Sequence, residues 1–402
     1  MSQQISATGE DFGCPVVPEA RMSAEPRSAP APAMPAVGGA AARRLQIAMS
    51  PYCGPPDFSA LTGDYASRAP IDMVSVADLL RNGFVYAPHS IYQDVKLATT
   101  GFDPLHDMHG TPEFRYQFRD SGRRRERGEA STDWVETYHR LLCEAFETSC
   151  AEIRAPWLLQ SGGKDSTPLA IAAAEIRPET RCITYLGGSE ENEVASATFV
   201  AGKLGLRHDT LVCDPGRAYD RYLATLPRMP LLTADFALLS YVDLATTIVA
   251  EGGDGVVDGM GADGYFGPTV HARDRMLSWL ARDLRLPRQL TELPLLGRNF
   301  EFCYLLSTLQ MNTVERAFPG SRFTDAEVDA LFGRDVAGTS KARLAPFRPE
   351  IASATSHDEH WAMANSIAGI TGGFAKGLYT ASAMSLKAAY PFCDRNLREW
   401  VY

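Results

Sequence analysis

The sequence predicts an α/β protein: a parallel, twisted sheet with helices on both faces, followed by a mostly helical C-terminal part. Two observations predict it. Short apolar runs alternate with helix-period segments from Trp134 to Gly259, which is the pattern of a parallel sheet covered on both sides. Two glycine-rich loops, Ser161–Ser166 and Gly259–Gly267, each follow directly on such an apolar run. Ligands of open parallel sheets sit at the carboxyl ends of the strands, where these loops fall.

The elements follow in order. Residues 1–42 are rich in Pro, Ala, Ser and Gly without periodicity and read as a disordered arm. Residues 43–130 read as a small N-terminal region. Within it "SVADLLRNG" reads as a short helix closed by Gly83. "DSGRRRERGEAS" (120–131) is a polar, solvated loop. Residues 131–402 read as the main domain. "DWVETYHRLLCEAFETSCAE" places Trp134, Tyr138, Leu141, Leu142, Ala145 and Phe146 at helical spacing. "PWLLQ" is a buried strand, Thr167–Ile176 a helix, and "RCITYL" (181–186) the next strand. "NEVASATFVAGKLG" is a helix stopped by Gly205, and "HDTLVC" (208–213) a third strand. "FALLSYVDLATTIVAEGG" is a helix and "GVVDG" (255–259) a fourth strand. Helical segments dominate beyond Gly267, among them "TDAEVDALF" and "DEHWAMANSIAG".

Composition narrows the function. The 402 residues carry a net charge of −10, 45% hydrophobic and 22% charged residues. That describes a soluble globular chain with a large core, and argues against general nucleic-acid or anionic-membrane binding. No apolar run is long enough for a membrane span, and no signal-peptide pattern opens the chain. The eight cysteines include no C-x-x-C pair. Reduced thiols in the cytoplasm are expected, with neither a disulfide framework nor a zinc site. His357-x-x-His360 lacks a third ligand nearby and reads as a solvated helix start.

The loop Ser161-Gly162-Gly163-Lys164-Asp165-Ser166 joins a strand to a helix. Its glycines allow close backbone approach to a bound group, and the free N–H groups of the following helix favour an anion. Ser161 and Ser166 add hydroxyl donors. Asp165 would repel phosphate alone, which points to a divalent cation between carboxylate and phosphate. The spacing is not that of a Walker A loop. The second loop, with Gly259, Gly261 and Asp263, lies roughly 100 residues later. Two such loops suit a metal-bound polyphosphate gripped from two sides, with Asp165 and Asp263 as metal ligands. As a tight strand-to-helix turn, the second loop alone carries less weight than the first.

With both loops in place, the chain resembles the synthetase domain of the asparagine synthetase family, within the wider group of ATP pyrophosphatases with an SGGxDS loop. "LLQSGGKDS" is similar to the family's pyrophosphate loop, and "VVDGMGADGYFG" to its SGxGADExFGG. "ITYLGGSEENEVASATFVAGKLGLRHDTL" and "SAMSLKAAYPFCDRNLREWV" resemble flanking segments, the latter S-x-E-x-R-x-PFLD. "VSVADLLRNGFVYAPHSIYQDVKLATTGFDP" is similar to the end of the family's glutaminase domain, so 43–130 reads as its remnant. The resemblance also extends to β-lactam synthetases. It implies an adenine nucleotide alpha-hydrolase-like fold and an AMP-forming amide ligase using ATP and Mg²⁺. A carboxylate would attack the α-phosphorus, and an amine or ammonia would then take the acyl-adenylate. Ile183 and Tyr185, with the backbone near Gly259, would contact adenosine.

The chain departs from the family at four points. Residue 2 is Ser2 and the first cysteine is Cys14, so glutamine hydrolysis is not expected, and the nitrogen would come as ammonia, an amine or a partner's product. The family Glu before the late PF dipeptide is Lys387; it is either a partner for an acidic substrate or phosphate, or an exposed lysine. The tyrosine of β-lactam synthetases is Met260, expected to pack against adenine or substrate. The family's late lysine has no clear counterpart; Lys164, or else Lys376, would replace it. The resemblance implies a small-molecule carboxylate and amine as partners, with a homo-oligomer or a separate pathway protein possible. Two alternatives stand beside the ligase: a degenerate nucleotide-binding partner protein, and an intramolecular, lactam-type cyclase. RNA-thiolating enzymes share the SGGxDS loop, but paired cysteines and a basic surface are not evident here.

Overall fold

The computed structural model describes residues 45–49, 56–61, 65, 68–99, 102–106, 112–116, 133–188, 191–262, 308–309, 311, 315, 323–353 and 368–401. Contacts divide the chain into two units, 1–42 and 43–402. The first, expected as an arm, lies outside the described residues. So do the arginine-rich loop, His357, His360 and Asp263.

The second unit is built on five parallel strands: β5 (Pro156–Leu159), β6 (Arg181–Leu186), β7 (Arg207–Val212), β8 (Gly255–Val257) and β9 (Lys387–Ala389). Their order is β7-β6-β5-β8-β9. The chain therefore starts in the middle, builds outward to β7, then crosses to the other side of β5 for β8. In register, Leu158 of β5 faces Cys182 on one side and Val257 on the other. β9 was not expected as a strand; Lys387-Ala388-Ala389 is too short and too weakly β-forming to stand out in sequence.

Helices cover both faces. The period-2 alternation sends Trp157 to one face and Leu158 to the other. On the Leu158 face lie α2 (Trp134–Ser149), α3 (Ser166–Ile176) and α4 (Glu191–Leu204), which supply Leu141, Phe146, Leu169, Ala173 and Ala201 to one buried cluster. Alanine-rich α3 can approach closely because Ala170, Ala172 and Ala173 are fully buried and small. On the Trp157 face lie α6 (Leu238–Ala250) and α10 (Ala375–Met384), through Leu244, Ile248 and Ala381. Helix α5 (Pro215–Thr225) starts at N-cap Asp214 with proline in its first turn, and Arg217 and Arg221 tie it to Asp243 of α6. A single π turn, Gly369–Phe374, precedes α10.

The described residues of 43–130 share their core with the main domain. Strand β1 (Leu45–Ala48) pairs in parallel with β2 (Val95–Ala98), and β3 (Phe102–His106) antiparallel with β4 (Pro112–Tyr116). Ile47, Leu79, Val95 and Leu97 share one buried cluster with Val242, Phe374 and Leu378. The boundary expected at residue 130 is thus not a boundary between compact units. Helix α1 (Met73–Asn82) begins at Asp72, which accepts from Val74 N, and ends at Gly83 with φ 84°. Its Arg81 is fully buried between Glu315 (2.6 Å) and Asp325 (3.1 Å). Asp325 opens α7 (Asp325–Phe332), whose capping box joins Thr324 and Glu327. Three short helical segments complete the described chain: α8 (Ala337–Ala342), α9 (Arg348–Ser353) and α11 (Arg395–Val401). No helix among the described residues is long and apolar enough to cross a membrane.

His89 marks how this packing responds to acid. Burial pushes its pKa down to about 3, and the nearby Arg343 and Lys96 cations act in the same direction while Asp72 opposes them. The ordinary value is about 6.5, so between these values the unfolded chain takes up a proton that the folded chain refuses. This contribution to stability is complete above about pH 6.5 and is lost as pH falls toward 3, by up to about 1.4 kcal/mol per pH unit. His89→Gln should flatten the dependence of the urea midpoint on pH in that window; an unchanged slope would contradict the assignment.

Candidate functional site

The strand order places the two glycine loops side by side. β5 and β8 are neighbours, and β5 is where the chain's direction across the sheet reverses. That is the crevice where open α/β sheets take their ligands. The loops lie close together: a Cβ added to Gly259 would be 3.5 Å from the Asp165 Cβ.

The first loop is held by its own serines. Ser161 N donates to Ser166 Oγ (3.1 Å), the two hydroxyls lie 3.1 Å apart, and Gly163 N donates to Ser161 Oγ (3.3 Å). Ser166 is buried, whereas Ser161 and Gly163 are exposed. Gly162, at φ 69°, passes against α4: a Cβ there would meet Ala197 N and Ser196 Oγ at 2.6 Å. Ser196 Oγ donates to the Gly162 carbonyl (3.1 Å). Gly162 is therefore required by the fold itself, a reason the sequence did not reveal. Asp165 caps α3 in position only, because its side chain makes no capping hydrogen bond. Its carboxylate instead receives Lys164 Nζ at 3.0 and 3.3 Å. Tyr138 of α2 stands close by; its pKa is pushed up to about 12, mostly by burial and partly by the Asp165 charge. Beneath the loop, both amide atoms of buried Gln160 lack hydrogen-bond partners among the described residues.

At the second loop, Gly261 has φ 106°, and a Cβ would come within 3.0 Å of Cys393 Sγ. Met260, expected against adenine or substrate, packs onto the apolar cluster shared with β1 and β2. The sequence missed Asp258, which ends the β8 run. It is buried; Oδ2 accepts from Tyr241 Oη (2.7 Å) and Oδ1 from Met260 N (3.1 Å). Burial raises its pKa, against the pull of Tyr241, Met260 N and the Lys376 charge. Lys376 pairs with Asp235 (2.9 Å), both largely buried, and its Nζ is 5.5 Å from the Tyr241 ring centroid. Gly377 leaves room for Tyr390 Oη, which a Cβ would meet at 2.5 Å. A small cavity between the sheet, α6 and α10 is lined by Leu159, Tyr241, Asp258, Thr380 and Tyr390 among others. The only sign of this cluster in sequence was an aspartate placed between two valines and a glycine.

The other expected residues are placed as follows. Ile183 is a core residue, and its carbonyl accepts from Gln160 N (2.9 Å). Tyr185 is half-buried near the carboxyl end of β6, packed on the Trp157 face. Lys387 is not brought to the loops. It pairs in register with Gly255 at the amino end of β8, donates to the Glu152 carbonyl and lies 3.4 Å from the Glu152 carboxylate. The position has a simple cause: parallel strands put their first residues at the opposite end of the sheet from the carboxyl-end loops. Of the three candidate lysines, Lys164 and Lys376 are near the loops and Lys387 is at the opposite end.

The model of the family described as asparagine synthase matches residues 141–402, which include β5, both glycine loops and β9.

The chain belongs to the asparagine synthase family.

Membership in the asparagine synthase family places it with ATP-using, ligase-type enzymes. No curated protein matches it. Among solved structures, it is similar to an NH3-dependent NAD synthetase from Campylobacter jejuni, with 12% identity over 47% of this chain and 98% of that one, at a TM-score of 0.26. It is also similar to an NMN synthetase from Francisella tularensis, with 17% identity over 56% of this chain and 95% of that one, at a TM-score of 0.25.

The two glycines of the first loop should respond differently to substitution. Gly162→Ala must both hold φ 69° and displace α4, and should cost on the order of 1–3 kcal/mol in urea unfolding. Gly163→Ala meets only Ser161 Oγ, at 3.1 Å, and should cost less than about 1 kcal/mol. Equal losses would show that α4 does not set the requirement at Gly162.

Proposed function

We propose that this chain is an AMP-forming amide ligase. A carboxylate would attack the α-phosphorus of ATP, pyrophosphate would leave, and an amine or ammonia would displace AMP from the acyl-adenylate. The observation that carries this reading is the close approach of the Asp165 loop and the Gly259 loop at the carboxyl ends of neighbouring β5 and β8.

The first loop suits the leaving pyrophosphate. Ser161 and Gly163 are exposed beside the N-terminus of α3, where the helix dipole favours an anion. A fixed dipole of this kind stabilises developing charge without reorganisation. The residues fit Mg²⁺ as well: Asp165 makes no helix-cap hydrogen bond and its carboxylate pairs with the exposed Lys164. Asp263 would be the second carboxylate. Bound Mg²⁺ would neutralise charge on the departing pyrophosphate. Lys164, freed from Asp165, would reach phosphate oxygens.

At the second loop, Asp258 suits the amine step. A buried carboxylate with a raised pKa can take the proton that an attacking amine releases, and Tyr241 orients it. Lys376 would hold negative charge on the adenylate side. The cavity walls contributed by Leu159 and Leu244 favour an acyl or amine group with apolar character.

A second reading follows from Lys387. It is a cation where the resemblance gives a Glu, and it is paired with Glu152 away from the loops; on this reading the chain would bind nucleotide without forming the amide. Pyrophosphate–ATP exchange over a panel of carboxylates separates the two. Exchange should be present in the parent protein and reduced at least about 100-fold in Asp165→Ala. Lys387→Ala should leave it unchanged. ATP binding with no exchange for any carboxylate supports the second reading.

The amine step is tested apart from adenylation. Asp258→Asn should keep exchange and lower amide formation on the order of 10²–10⁴-fold. Equal loss of both activities would mean that Asp258 only shapes the loop.

A further inference from the structure

Beyond the nucleotide crevice, a second cluster of chemically reactive side chains lies where α2 packs on α3. His139 and Cys143 are four residues apart on α2, so they share one face. Glu175, in the last turn of α3, reaches the same point. His139 Nε2 lies 2.7 Å from Glu175 Oε2 and 3.6 Å from Cys143 Sγ. One donor atom from each residue falls within 4.8 Å of the other two.

We propose that His139, Cys143 and Glu175 form a binding site for a tetrahedral divalent transition-metal ion of the zinc type. The set combines imidazole nitrogen, thiolate sulfur and carboxylate oxygen, the three ligand types that Zn²⁺ takes. Bonds of about 2.0–2.3 Å in tetrahedral array put neighbouring ligand atoms roughly 3.3–3.8 Å apart. The His139–Cys143 distance already falls there, and Glu175 needs to retreat by about half an ångström. A bound dication would lower the Cys143 thiol pKa and drive its proton into solvent. Calcium and magnesium are disfavoured because they select oxygen donors. Three protein ligands leave the fourth position to water.

The site would clamp α2 to the far end of α3, the helix that begins at the pyrophosphate loop. No ATP chemistry enters the proposal, so it stands or falls apart from the ligase reading. His139 and Cys143 stand four residues apart in the sequence, whereas Glu175 comes 32 residues after Cys143. The absence of a C-x-x-C pair had argued against any zinc site.

The test is a Co²⁺ titration of the full chain after treatment with chelator. One equivalent should produce tetrahedral visible bands together with a thiolate-to-cobalt charge-transfer band, and Zn²⁺ should displace both. Cys143→Ser should lose the charge-transfer band, whereas Cys213→Ser, at the end of β7, should keep it. His139→Gln should weaken binding at least about tenfold. Zn²⁺ should raise the melting temperature of the parent and not of His139→Gln. Circular dichroism checks that each variant is folded. No cobalt–thiolate band in the parent, or one that persists in folded Cys143→Ser, would overturn the proposal.

Discussion

The site depends on one constraint, the reversal of strand order at β5. Because β6 and β7 build to one side and β8 and β9 to the other, the loops that leave β5 and β8 start at the point where the strand order reverses. A crevice at their start is then unavoidable. Glycine loops on distant sequence segments become neighbours only through this reversal. Had β8 added beyond β7, two further strands would separate Asp165 from Gly259, roughly 10 Å or more at the usual strand spacing. Instead the loops are close enough that a Cβ added to Gly259 would be in van der Waals range of Asp165.

This close approach is kept rigid by a second requirement. Gly162 leans on α4, and Ser161 and Ser166 close the loop on itself. α4 in turn packs on α3 and the sheet through Ala201. Behind α4, His208 is near Thr184 Oγ1 (2.8 Å) and Thr198 Oγ1 (3.1 Å), and Thr184 donates to the Gln160 carbonyl. Burial lowers the His208 pKa, which keeps the ring neutral and able both to donate and to accept. Strand end, loop and helix are thus bonded into one piece before any ligand arrives. Pre-organisation of this kind removes ordering cost from the binding step.

Much of this was legible in the sequence because it is local. The strands at 156–159 and 181–186, the helix at 166–176 and the closing role of Gly83 and Gly205 follow from short-range pattern. What stayed hidden is non-local. Strand order cannot be read from periodicity, so neither the closeness of the loops nor the amino-end position of Lys387 was visible. β9 was hidden by its length, and it pairs only because Val256 and Val257 offer an edge. Residues 43–130 looked separable because the polar segment 120–131 interrupts the chain. Their apolar side chains nevertheless find partners in α6 and α10. Asp258 looked like the last residue of a strand, and only burial against Tyr241 gives it chemical interest.

The two ends of the sheet differ in what their charges do. At the amino end, Lys387 faces Glu152 and Arg154 faces Asp254, with Arg154 and Glu152 almost fully exposed. Such pairs contribute about 0–1 kcal/mol and can be exchanged freely. At the carboxyl end, Asp258 and the Lys376–Asp235 pair are withdrawn from water. Desolvation makes a buried pair neutral or unfavourable by about 1–4 kcal/mol relative to an apolar packing of the same shape. An apolar core would therefore serve stability as well or better at this position, since Leu159, Leu244 and Tyr390 already supply its walls. The charges are explained by what they could do to a ligand, and they lie at the end of β8 that opens into the crevice. Asp258, whose pKa is raised by burial, is a group of the kind that clusters where chemistry is done. The asymmetry between the two ends points to the same side of the sheet as the glycine loops do, by an independent route.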